Sequence, residues 1–76
     1  MNYVITVFSH FGAMEAKKEL EKRNYVCRLA PAPRILSSSC GTCVMAEGQE
    51  SDFAFIAEYL DEVFVREGSD YRKVNR

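Results

Sequence analysis

The sequence has no surplus of positive charge. Ten Lys and Arg stand against eleven Asp and Glu, and the net charge is −1. That balance excludes a nucleic-acid binder working by bulk electrostatics, which needs a basic surface. The tail YRKVNR is locally basic through Arg72, Lys73 and Arg76, and reads as a solvated end. Long apolar runs are missing too. The stretch YVITVF, residues 3–8, is far short of the roughly 20 residues a membrane-spanning helix needs. It has no basic flank before it and no cleavage site of small residues. No secretory signal is therefore read there, and a cytoplasmic protein that does not enter a membrane is expected. Cysteine is scarce and odd in number, with three in the chain, which fits poorly with a secreted disulfide framework. There is no linker and no clear internal repeat. The 76 residues predict one domain spanning 1–76. A domain this small is marginal and leans on each part of its core.

What is present alternates between strand-like and helix-like stretches. Residues 3–8 are β-branched and aromatic, as in a buried strand. Ser9 is placed to cap a helix over residues 10–23, in which Ala13, Ala16 and Leu20 recur at helical spacing. Asn24 suits the left-handed residue that closes it. YVCRLA, residues 25–30, reads as a second strand with Tyr25, Cys27 and Leu29 on one face. PAPR, residues 31–34, stops that strand, because proline removes a donor and fixes an extended backbone. VMA, residues 44–46, suits a short third strand. Ser51 is the next expected cap, followed by a helix over residues 52–62 whose Phe53, Ile56, Ala57 and Leu60 form a stripe. VFVRE, residues 63–67, suits a last strand that DYRKV can extend. The order β-α-β-β-α-β predicts an α+β fold, a ferredoxin-like sandwich with an antiparallel sheet and two helices on one face.

Between the second and third strands lies RILSSSCGTCVMAE, residues 34–47. A loop of small residues leaves backbone N–H groups free to converge, and such concavities hold anions. Cys40 is the expected nucleophile, with Ser37, Ser38, Ser39 and Gly41 around its sulfur. A thiolate held in this way is more reactive at neutral pH. Cys43 completes a CxxC spacing, in which a second thiol resolves or releases what the first has bound. The bland alternative is a small apolar side chain opening a strand. Arg34 is a candidate counter-charge. His10, at the strand-to-helix junction, is a candidate binding residue beside the alternative of an idle exposed histidine. A closed zinc site needs four ligands, and CxxC supplies two. Cys27 and His10 are the other soft ligands, and the alternation places Cys27 in the core. No resident metal or cofactor is expected.

RLAPAPRILSSSCG, residues 28–41, resembles the signature of a family of small bacterial proteins described as selenium/sulfur carrier-like. Arg28, Leu29, Pro31, Pro33, Arg34, Leu36, Ser37, Ser38, Ser39, Cys40 and Gly41 occupy the motif positions. Cys43 departs from it, since a small apolar residue is expected there. The resemblance implies a carrier rather than a stand-alone enzyme. Cys40 would accept a persulfide or perselenide from a cysteine desulfurase or another sulfur or selenium donor, and pass it to an acceptor enzyme. Two other classes stay open at this point. One is a thiol–disulfide redox protein or sensor using Cys40 and Cys43. The other is a non-catalytic interaction module, with a homodimer among its forms.

Overall fold

The computed structural model describes residues 1–36, 38–49 and 52–74. The expected cap Ser51, the loop residue Ser37 and the tail residue Arg76 lie outside them. Five strands form one antiparallel sheet: β1 (Asn2–Val7), β2 (Val26–Pro31), β3 (Thr42–Glu47), β4 (Leu60–Glu67) and β5 (Asp70–Lys73), in the order β2-β3-β1-β4-β5. One helix, α1 (His10–Lys22), crosses from β1 to β2. β3 lies between the two strands it joins.

β1 is the centre of the molecule. It pairs with β3 on one side and β4 on the other, and Tyr3 through Val7 are all buried. Tyr3, Ile5 and Val7 join the core under α1, while Val4 and Thr6 face the other side of the sheet. Two-sided burial explains why YVITVF reads as an unbroken β-branched run rather than an alternating one. α1 begins and ends where its sequence signals lie. The Ser9 hydroxyl accepts the Gly12 N–H at 3.0 Å, and Asn24 adopts the left-handed φ of 70° after the last turn. Ala13, Ala16 and Leu20 are buried, and the two small alanines let the helix lie close to the sheet. α1 is too short and too polar to cross a membrane, and no other helix among the described residues could do so.

The expected sandwich with two helices on one face is not what forms. The fold is mostly one five-stranded antiparallel sheet with a single helix. Of the expected stripe, Phe53, Ile56 and Leu60 are buried in the core but Ala57 is exposed, and no helix over 52–62 brings them there. Phe53 takes a left-handed φ of 56°, and a three-residue 3₁₀ turn (Ala54–Ile56) follows it. β4 then starts at Leu60, three residues earlier than its β-branched run. A bulge makes this possible. The register against β1 passes from Thr6↔Glu62 to Val7↔Leu60, so Leu60 and Val63 both reach the core. The buried Thr6 hydroxyl accepts the Glu62 N–H at 3.0 Å and donates to the Glu62 carbonyl at 3.4 Å. Pairing with the central strand outweighs a helical pattern too short to stand by itself.

Candidate functional site

The loop from Ala32 to Gly41 leaves β2 and returns into β3. Its ends are tied by the Ala32 N–H on the Gly41 carbonyl at 2.9 Å. Inside it, the Leu36 N–H donates to the Pro33 carbonyl at 3.0 Å, and the Gly41 N–H to the Ser38 hydroxyl at 3.2 Å. Gly41 has φ +75°, where a side chain would be strained. That glycine turns the chain directly after Cys40 and sends it into the sheet.

Cys40 is half-buried and packs against the core on the α1 side of the sheet. Its thiol lies 3.6 Å from two carbonyls, those of Val7 and Thr42, and its single proton can be given to either. The sulfur thus rests under the junction where β1 ends and α1 begins. The sequence suggested a ring of N–H donors around it. Instead, the N–H groups of Ala32, Leu36 and Gly41 are engaged within the loop, and the sulfur meets acceptors.

Cys43 is fully buried, on the opposite side of the sheet. It lies between Ala30 of β2 and Thr6 of β1, and its thiol faces the Pro31 carbonyl at 3.8 Å. Burial pushes that thiol's pKa up, Arg28 opposes the rise, and the neighbouring Cys40 adds to it. Cys27, on the α1 side of the edge strand β2, is pushed up to about 11 by burial and by Glu21, against a smaller opposing effect of Lys17. All three thiols are free.

The other expected residues are placed less closely. Ser38 braces the loop, and Ser39 is exposed. Arg34 is exposed and makes no hydrogen bond or ion pair among the described residues. His10 is exposed as the first residue of α1. Two neighbours escaped the sequence reading. The Val7 carbonyl is one, and its signal was the capped strand-to-helix junction at Ser9. Arg28 beside Cys43 is the other. Its signal was the alternation of β2, which sets Arg28 and Ala30 on the same face as Cys43.

Two concavities lie elsewhere. One of about 900 Å³ is lined by Arg23, Tyr25, Gly48, Gln49 and Phe55, at the end of the sheet where β1 begins. Another of about 240 Å³ lies among Val4, Val26, Arg28, Met45 and Arg66, on the face away from α1. Neither contains Cys40. Among the described residues no three His, Cys, Asp or Glu side chains gather as a metal site would require. No curated protein and no solved structure matches the chain. A family described as "Putative Se/S carrier protein-like" matches residues 2–65, a span that includes the loop with Cys40, Cys43 of β3 and the junction above Cys40, and the chain belongs to that family.

Proposed function

We propose that the protein carries sulfane sulfur, or selenium in the same oxidation state, on Cys40 and delivers it to a partner. The observation that carries this reading is the position of Cys40. It lies on a surface loop outside both concavities, with its sulfur half-buried at a strand–helix junction. An enzyme acting on a small molecule uses a pocket. A carrier needs a thiol that a second protein can reach, and a site that leaves room for one added atom.

Loading is a transfer without net oxidation. The Cys40 thiolate attacks the outer sulfur of a donor persulfide. A Cys40–sulfur bond forms, the donor's sulfur–sulfur bond breaks, and the donor cysteine leaves as a thiolate. Arg34, His10 and the serine hydroxyls are the groups available to hold the charged adduct. Release through Cys43 would require its thiolate to attack the Cys40 sulfur, expelling hydrosulfide and leaving a Cys40–Cys43 disulfide for an external dithiol to reduce. That path needs Thr42 and Cys43 to leave their pairing with Pro31 and Ala30. It is therefore the slower step.

Intact-protein mass spectrometry after incubation with a charged cysteine desulfurase tests the proposal. One added sulfur on Cys40 is expected, absent in Cys40→Ser. Cys43→Ser should load as the parent does and release more slowly. No loading, together with a reversible Cys40–Cys43 disulfide, would place the protein in the redox class instead.

A further inference from the structure

We infer that the partner delivering the sulfur is a protein, and that it docks on an apolar collar around Cys40 made by Phe8, Phe11, Met14 and Ile35. The inference rests on the carrier reading and names the surface that reading needs. These four side chains are 56, 66, 45 and 80% exposed. Phe8 follows Val7, whose carbonyl holds the Cys40 thiol. Phe11 is in the first turn of α1. Met14 shares a helical stripe with His10, Lys17 and Glu21. Lys17 and Glu21 act on Cys27 of β2, so this stripe looks over β2 and toward the loop that follows it. Ile35 stands on that loop, whose closed ends bring it back to Cys40. Exposed apolar side chains scattered singly need no explanation, but four on the junction, helix turn and loop that meet at one half-buried thiol do.

Charge selects the occupant. The two segments that carry the collar and the loop, residues 7–14 and 31–41, contain no Asp or Glu. Of the acids close by, Glu15, one turn along α1 from Phe11, is paired with Lys18, and Glu62, opposite Thr6, with Lys73. The one Lys or Arg in these two segments is Arg34, which has no partner of its own among the described residues. In a two-fold dimer this patch would meet itself and offer Arg34 no acid from these segments. A different protein fits better: one with an apolar loop that carries the persulfide cysteine and an acidic residue beside it. Inorganic sulfide species would have no use for two phenylalanine rings.

The test loads the full chain from two donors: a cysteine desulfurase charged with L-cysteine, and inorganic polysulfide. The double variant Phe8→Ser/Phe11→Ser and the single variant Ile35→Ser are compared with the parent, and thermal unfolding checks that each remains folded. From the protein donor, the double variant should load slower by roughly tenfold, as expected for loss of interface anchors. From polysulfide, it should load at the parent's rate. Unchanged loading from the protein donor overturns the collar, and so does an equal loss with both donors. A parent that takes sulfur only from polysulfide overturns the protein donor. A parent that takes none overturns the carrier reading itself. A parent dimer that Phe11→Ser alone dissociates shows that a second copy occupies the collar, which also overturns the inference.

Discussion

At the end of the sheet where β1 begins, aromatic rings are packed against one another; at the end where it finishes, two are left in water. Tyr3, Tyr25 and Phe53 meet at centroid distances of 5.0 to 6.4 Å, and the Arg23 guanidinium lies 4.0 Å over the Phe55 ring. Phe8 and Phe11, at the other end, are more than half exposed. The packed end has the larger concavity and none of the reactive chemistry. The open end has the half-buried loop thiol. A chain this small cannot bury every ring. It places its aromatic packing at one end and leaves apolar surface at the other, where a partner could cover it. On the carrier reading, concavity alone points to the wrong end.

The largest effect should come from emptying the packed end. Phe53 is 1% exposed and lies edge-on to Tyr3 at 5.0 Å. Phe53→Ala should cost about 3–5 kcal/mol, the range for removing a buried ring. A domain of this size has little more than that to lose. Denaturant unfolding measures it. Phe11→Ser, at the open end, should stay within about 0.5 kcal/mol of the parent in the same experiment. If the two variants were equally destabilised, the contrast between the ends would fail.

A smaller effect is expected at Gly48. A Cβ there would lie 2.5 Å from the Tyr25 ring, too close for any real contact. The ring cannot easily retreat, because the Tyr25 hydroxyl donates to the Gln49 carbonyl and its far side meets Tyr3 and Phe53. Gly48→Ala should therefore cost about 1–3 kcal/mol, an overpacking penalty. The pair Gly48→Ala/Tyr25→Ala should be non-additive, since removing the ring removes the clash. Additivity would show that Gly48 is needed for some other reason.

Much of this was legible in the sequence. The two-sided run of β1, the Ser9 cap, Asn24 at the helix end and the proline stop all act within a few residues, and all appear where the chain predicts them. The serine–cysteine loop was legible for the same reason. The segment after Gly48 was not. The core stripe Phe53–Ile56–Leu60 fits helical spacing, yet it is also what a 3₁₀ turn, a bulge and an early strand deliver. The choice is made by Thr6 of β1, which lies 56 positions from Glu62 in sequence and satisfies the bulge. The different fates of Cys40 and Cys43 were hidden likewise. Their spacing is local, but the sheet that separates them is assembled from three distant strands.

The smallest expected effect concerns Cys27. It is half-buried on the edge strand, level with Tyr3 of the packed end because both pair with Ala46, and its pKa is raised from the ordinary 9.0 to about 11 by burial first and Glu21 second. A thiol raised on folding is favoured in its neutral form by the native state. Below the unfolded value both states hold the proton, and its contribution to stability is fully present. As pH rises toward about 11 the unfolded chain ionises first, and that contribution is lost. Urea midpoints of the parent and of Cys27→Ala, taken at steps from pH 8 to 10.5, should therefore converge as pH rises. Cys43, whose pKa is raised in the same direction, is present in both proteins and largely cancels. Lysine and tyrosine titrations cancel in the same way. Parallel curves would mean that Cys27 ionises equally in both states, so that the edge of the sheet beside α1 is open to water like the corner that holds Cys40. Converging curves would set Cys27 with the packed part of the molecule and leave Cys40 as the thiol that the fold presents outward.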